Sequence, residues 1–138
     1  MSANHERDLC FVLLRLSRLL SRELNSALRP LGLTGEQVAL LDAIETIPTP
    51  RSKDVCLALG LDPSTISANI KPLLQRGLIV SLDDPTDGRA KRLELSPEGC
   101  TKLLSARAIL LEIDNTMKRK LDENGSLNNV TLALDRLC

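Results

Sequence analysis

The chain has 138 residues, enough for one domain or for one domain with an added interface element. Aromatic residues are only 1% of it, with Phe11 the single phenylalanine and no Trp or Tyr. That excludes stacking platforms for RNA or single strands, aromatic cages and grooves for proline-rich peptides. Lys plus Arg and Asp plus Glu each number 18, so the net charge of zero excludes diffuse polyanion or membrane attraction and leaves only local patches.

The predicted elements follow in chain order, with an aliphatic core expected from the 30 leucines. Residues 8–29 read as a helix, because Leu9, Leu13, Leu16, Leu20, Leu24 and Ala27 recur every three or four positions. Arg15, Arg18, Arg22 and Arg29 take the opposite face, and Phe11 falls in that charged stripe, where another chain or helix is expected to cover it. Pro30 and Gly32 end the helix. Thr34 and Gln37 stand in capping-box spacing and open a second helix through Val38, Leu41 and Ile44. Pro48-Thr49-Pro50 is a rigid loop, and a short third helix through Val55 and Leu59 closes at Gly60.

Asp62-Pro63 is a strong helix start, a capping carboxylate followed by Pro at the first helical position. The fourth helix is predicted to run to about Gln75, with Ile66, Ile70, Leu73 and Leu74 inward, and to stop at Gly77. The period then changes to two. Leu78, Val80 and Leu82 alternate, and so do Lys91, Leu93 and Leu95 after the turn Asp84-Pro85-Thr86-Asp87-Gly88, which predicts a hairpin. Ser96-Pro97-Glu98 starts a long fifth helix to about Leu121, with Leu103, Ala106, Leu110, Ile113 and Met117 on one face. Asn124-Gly125-Ser126 reads as a turn before a last amphipathic helix through Leu127, Val130, Leu134 and Leu137.

The fold class expected is mainly α with a small β-hairpin wing, a winged helix-turn-helix flanked by N- and C-terminal helices. Helix, short helix, capped helix and hairpin over residues 34–95 supply its parts, and Gly60 permits the sharp turn between the last two helices. At 100° per residue Ser64, Ala68, Lys71 and Gln75 share one outward face, flanked by Thr65 and Ser67. Short hydroxyls bond base edges, an Ala methyl meets a thymine methyl, and Lys71 reaches guanine or phosphate. Arg89 in the wing suits a narrow minor groove. The same residues are also ordinary choices for a solvated helix face.

His5 is the only histidine, which removes His-based zinc sites and nearly all Ser/His or Cys/His pairs. No enzyme, metal or cofactor is therefore expected. Cys10, Cys56, Cys100 and Cys138 contain no CxxC and no compact disulfide pattern. The apolar run at residues 9–14 is cut by Arg15 and Arg18, so neither a signal peptide nor a membrane span is expected, and the cytoplasm is the simplest compartment.

The segment DVCLALGLDPSTISANIKPLLQRGLIVSLDDPTDGRAKRLELSPEG resembles the DNA-binding core of the MarR family of transcription regulators. The strongest match is Asp87-Gly88-Arg89-Ala90-Lys91-Arg92 running into Leu93-Glu94-Leu95-Ser96-Pro97-Glu98-Gly99, which resembles the family's wing signature and the start of its dimerisation helix. The resemblance extends over essentially the whole chain and implies a single domain, 1–138. Within it, 1–30 and 97–138 would be dimerisation helices and 31–96 the winged helix-turn-helix module. It implies a homodimer on palindromic double-stranded operator DNA, most often a repressor released by a small ligand or by thiol oxidation. By position Ser64, Thr65, Ser67, Ala68 and Lys71 would contact bases or phosphates, with Lys91 in the wing. Arg89 would enter the minor groove, held by Asp87.

Two residues depart from the family pattern. Pro72 stands where many relatives have a basic residue; lacking an N–H and crowding the carbonyl of Ala68, it predicts a bend in the recognition helix. Basic and acidic residues balance between positions 51 and 99, so phosphate attraction depends on local placement.

Leu9-Cys10-Phe11 resembles the organic-hydroperoxide (OhrR) branch and makes Cys10 a candidate redox sensor, since a thiol near a helix N-terminus has its thiolate favoured. That branch relies on tyrosines, which this chain lacks, and Cys10 also fits the edge of an apolar face; Cys56 reads as core. A small anionic or phenolic effector is the rival, held near Phe11, Arg15, Arg18 and Arg22 between the first helix and the DNA-binding module. A winged helix that binds protein and not DNA is the alternative of a different class.

Overall fold

The computed structural model describes residues 8–122 and 127–137. Helix α1 (Leu9–Leu28) starts where the Asp8 carboxylate accepts the Cys10 N–H at 3.0 Å, and a 3₁₀ turn (Arg29–Leu31) carries it on to Gly32. Gly32 adopts a left-handed φ of 65°, which redirects the chain at little steric cost. Helix α2 (Gly35–Thr46) opens on the expected capping box: Gln37 N–H donates to Thr34 Oγ1 at 3.2 Å, and Thr34 N–H to Gln37 Oε1 at 3.1 Å. Helix α3 (Ser52–Leu59), helix α4 (Pro63–Gln75), strands β1 (Ile79–Asp83) and β2 (Lys91–Leu95), helix α5 (Pro97–Asp122) and helix α6 (Leu127–Asp135) follow. The expected turn at Asn124-Gly125-Ser126 lies outside the described residues, as do His5 and Cys138.

Helix α2 is the hub. It touches α1, α3, α4, α5 and β2, and buries Val38, Leu40, Leu41, Ala43 and Ile44 around its circumference. The core is aliphatic throughout and joins α2 to Leu28, Ile66, Leu73, Leu78 and Leu103. Each such side chain contributes about 1.5–3 kcal/mol on burial. The start of α5 belongs to this core through Leu103 and Ala106, so the long helix and the central module are one packed unit.

The hairpin is antiparallel, with Ile79 opposite Leu95, Ser81 opposite Leu93 and Asp83 opposite Lys91. This register corrects the predicted alternation in β1. Val80 and Leu82 face away from the core at 40% and 43% exposure, while Ile79 is buried beside Leu78. Two successive apolar residues where the strand begins shift the inward set by one position, and a one-residue shift exchanges the faces. Leu74 is a second correction: expected inward, it is 38% exposed because Leu73 takes the core position. In α1 the inward stripe is Leu13, Leu20, Leu24, Ala27 and buried Leu28, while Leu9 and Leu16 are exposed. Cys56 lies at the margin of the core, half-buried. Helix α4 continues through Pro72 to Gln75.

A pairing with no sequence signal extends the wing. Arg51 bridges Arg92, and the Leu93 N–H donates to the Pro50 carbonyl at 2.9 Å. The segment before α3 thus lies along β2 as a third, minimal strand.

The first half of α1, the outer faces of α5 and α6 and the residues just after α6 carry exposed apolar side chains, among them Leu9, Phe11, Val12, Leu111, Leu132 and Leu137. Apolar residues exposed in such numbers on helix faces are the usual material of an interaction face.

Candidate nucleic-acid interface

Helix α3 ends at Gly60, whose φ of 63° lets the chain reverse within two residues into α4. The α4 cap is unusually complete. Asp62 accepts the Thr65 N–H at 2.9 Å, the Thr65 hydroxyl at 2.9 Å and the Ser64 hydroxyl at 2.5 Å. The Ser64 hydroxyl, followed by the two Thr65 donors, holds the Asp62 carboxyl down to a pKa of about 2. Since their protons go to Asp62, Ser64 and Thr65 present lone pairs outward, as acceptors. Ser67, Ala68, Lys71 and Gln75 continue the same exposed face. Among the described residues Lys71 has no ion-pair partner.

The wing is pinned at its base by Asp84, only 7% exposed. One carboxylate oxygen accepts the Thr86 hydroxyl at 2.7 Å and the Thr86 N–H at 2.8 Å; the other accepts Arg51 Nε at 2.8 Å and pairs with Nη2 at 2.7 Å. Those Thr86 bonds, reinforced by the Arg51 guanidinium, outweigh partial desolvation and hold the Asp84 carboxyl well below the usual carboxylate range. Both depressed carboxyls stabilise the fold above their unfolded pKa of 3.8, and that stabilisation is lost as pH falls through their folded values. Thermal melts are therefore expected to drop steeply between about pH 4 and pH 2. Asp84→Asn should flatten that limb; an unchanged pH profile would remove Asp84 from the account.

Asp87 accepts the backbone N–H of Arg89 at 3.1 Å, so it shapes the turn and leaves the guanidinium in solvent. Lys91 pairs with Asp83 across the hairpin, and Arg51 is committed to Asp84. Arg89 is thereby the exposed cation of the wing tip with no ion-pair partner among the described residues. Sequence reasoning passed over Lys53. It lies in the first turn of α3, exposed, and borders with Ser67 one cleft between α3 and α4. A cation in the first turn of the helix before the recognition helix was the available signal. Nothing in the spacing could link Arg51 to Asp84, 33 residues apart.

Other candidates lie elsewhere. Cys10 is exposed in the first turn of α1, beside Phe11. Arg15, Arg18 and Arg22 lie along the exposed side of α1 and line none of the larger clefts among the described residues. A mainly apolar cleft of about 720 Å³ lies instead between α1 and α5, walled by Leu20, Leu24, Leu110, Ile113 and Met117, with Arg107 and Lys118 at its edge. Arg107 is already bound to Asp42 and Glu45 of α2, and Lys118 to Asp114. No helix of the described residues is long and apolar enough to cross a membrane.

A helix, a glycine turn, a capped helix with a polar outer face, and a hairpin pinned beside them define a winged helix-turn-helix protein. Residues 31–90, which hold the end of the first helical segment, α2, α3, α4 and most of the wing, match the MarR family model. No curated protein sequence matches the chain. Among solved structures it is similar to CouR from Rhodococcus jostii bound to p-coumaroyl-CoA, at 28% identity over 96% of this chain and 90% of that one, TM-score 0.77. It is also similar to a probable transcriptional regulator from Pseudomonas aeruginosa, at 25% identity over 96% of this chain and 98% of that one, TM-score 0.86. A mutant MarR from E. coli complexed with operator DNA shares the fold, with TM-score 0.87 over 99% and 98% of the two chains at 17% identity.

Proposed function

We propose that the protein is a homodimeric, sequence-specific double-stranded-DNA-binding transcription regulator, a repressor released by a small ligand or by cysteine oxidation. The observation that carries this reading is the outer face of α4, where Ser64, Thr65, Ser67, Ala68 and Lys71 stand exposed or half-exposed beside one cap carboxylate. Acceptor oxygens at the helix tip suit the amino groups of adenine and cytosine in the major groove. Arg89 enters the minor groove beside it. Lys53 joins Lys71 and Arg89 as a third cationic contact to the DNA, while Lys91 serves the wing's own geometry through Asp83. The terminal segments, 1–30 and 97–138, form the dimer by covering each other's apolar faces, and 31–96 reads DNA. The similar CouR is bound to p-coumaroyl-CoA and the E. coli MarR of the same fold to operator DNA, and the match of residues 31–90 to the MarR family model supports the same reading.

For release, the α1–α5 cleft fits an apolar or phenolic effector better than the Arg15, Arg18 and Arg22 face, because it has apolar walls. Cys10 is the candidate for the oxidative route, being exposed at a helix N-terminus.

Binding-site selection from a random duplex pool, followed by gel shift on the recovered duplex, tests the proposal. Three cationic contacts per subunit give an expected slope of log K against log salt of about −5 for the dimer. A slope near zero, or no recovered duplex, would overturn DNA binding in favour of a protein-interaction module. The same gel shift with peroxide on wild type and Cys10→Ser separates the release routes: peroxide release that survives the substitution removes Cys10.

A further inference from the structure

Among the described residues, the side-chain hydrogen bonds that tie the recognition helix and its C-terminal end to the rest of the molecule converge on one short segment, residues 31–36. Arg76, just past the end of α4, donates from Nη1 to the Gly32 carbonyl at 2.5 Å and from Nη2 to the Leu31 carbonyl at 3.1 Å. These carbonyls end the 3₁₀ turn that prolongs α1, so the cation meets the negative end of a helix. The fit is close: a Cβ on Gly32 would lie 3.2 Å from Arg76 Nη2. Midway along α4, Asn69 donates to Glu36 Oε2 at 3.2 Å. On the other side the Gly35 N–H donates to Asn25 Oδ1 of α1 at 2.8 Å. Helix α5 packs on the same 3₁₀ turn.

The core residues of α4, Ile66, Ile70 and Leu73, determine how deeply it is buried, but apolar contact is non-directional. The planar guanidinium has its donors in a rigid fork and does fix direction. We propose that Arg76 is a positioning residue for operator recognition: through Leu31 and Gly32 it sets the angle between α4 and the dimerisation helices α1 and α5. In a two-fold dimer that angle sets the separation of the two recognition helices, and therefore which half-site spacing is accepted. The inference rests on the homodimeric, DNA-binding reading above.

The test uses the full chain and the duplex recovered by selection, with versions carrying one base pair more or fewer between the half-sites. Wild type, Arg76→Ala and Arg76→Lys are compared by circular dichroism, light scattering and Kd on every duplex over a salt series. Arg76→Ala should remain a folded dimer and lose about tenfold on the parent duplex, the size of one charged hydrogen bond. Its loss on the altered spacers should be much smaller, so that spacing preference flattens while the salt slope stays constant. Arg76→Lys should fall between, and it carries the comparison alone if the alanine variant does not fold. Equal losses on all duplexes with a slope shallower by about 2 would make Arg76 a phosphate contact and overturn the proposal. An unchanged spacing profile would also overturn it, whereas a wild type that recovers no duplex fails at the DNA-binding reading itself.

Discussion

Gly99→Ala is expected to destabilise the protein by about 3 kcal/mol, a fall of about 10 °C in Tm. Gly99 is buried in the first turn of α5, where its N–H donates to Ser96 Oγ at 3.0 Å. A Cβ there would stand 1.9 Å from the Leu78 carbonyl oxygen and 2.9 Å from its carbon. Both atoms are backbone, so no side-chain rotation relieves the clash. The same oxygen accepts the Ser96 N–H at 3.0 Å, and the Ser96 hydroxyl donates to the Gly77 carbonyl at 2.5 Å. Helix α5 must back away from the start of β1 and break that cluster. Gly88→Ala is the matched control: nothing lies within 4 Å of its Cβ position, and a change within about 0.5 kcal/mol is expected. Thermal melts of the two variants beside wild type decide the matter. Equal Tm values would show that the close approach at Gly99 carries no energy.

The second large effect is on binding. Lys71→Ala/Arg89→Ala should abolish specific gel shift at physiological salt while leaving Tm within a degree or two, since both side chains are exposed. Each cation lost removes a phosphate or base contact from both subunits, so four contacts disappear per dimer and the salt slope falls from about −5 to about −2. The expected loss in affinity is about 100-fold or more. Lys91→Ala is expected to do far less, because Lys91 is already paired with Asp83. Specific binding retained by the double variant would displace the interface from α4 and the wing tip.

Local chemistry made much of this legible in the sequence. Caps act over three residues, so Thr34 with Gln37, Asp62 with Pro63, and Ser96 with Pro97 announced their helices from residue type and spacing. Helical period also placed Ser64, Ala68, Lys71 and Gln75 on one exposed face, because 100° per residue is a property of the helix itself. The strand was less legible. With Leu78 and Ile79 both apolar, either register of β1 satisfies a period of two, and only packing against α4 chooses Ile79. Leu73 and Leu74 posed the same choice in α4.

Aliphatic composition, helix order, the glycine turn at Gly60 and the polar tip of α4 were determined by the sequence alone, because each depends on residues within one turn of one another. Which cations remain available was decided only by tertiary structure. Arg51, Arg89 and Lys91 are equivalent in a count of charges, yet folding brings Arg51 to Asp84 and Lys91 to Asp83, and leaves Arg89 in solvent. Arg76 likewise read as one more surface charge until the fold set it against the carbonyls of Leu31 and Gly32, about 45 residues earlier. The physical reason is range. Propensity, capping and period are set by covalent neighbours, whereas a charge takes its role from whatever the folded chain places within about 4 Å of it.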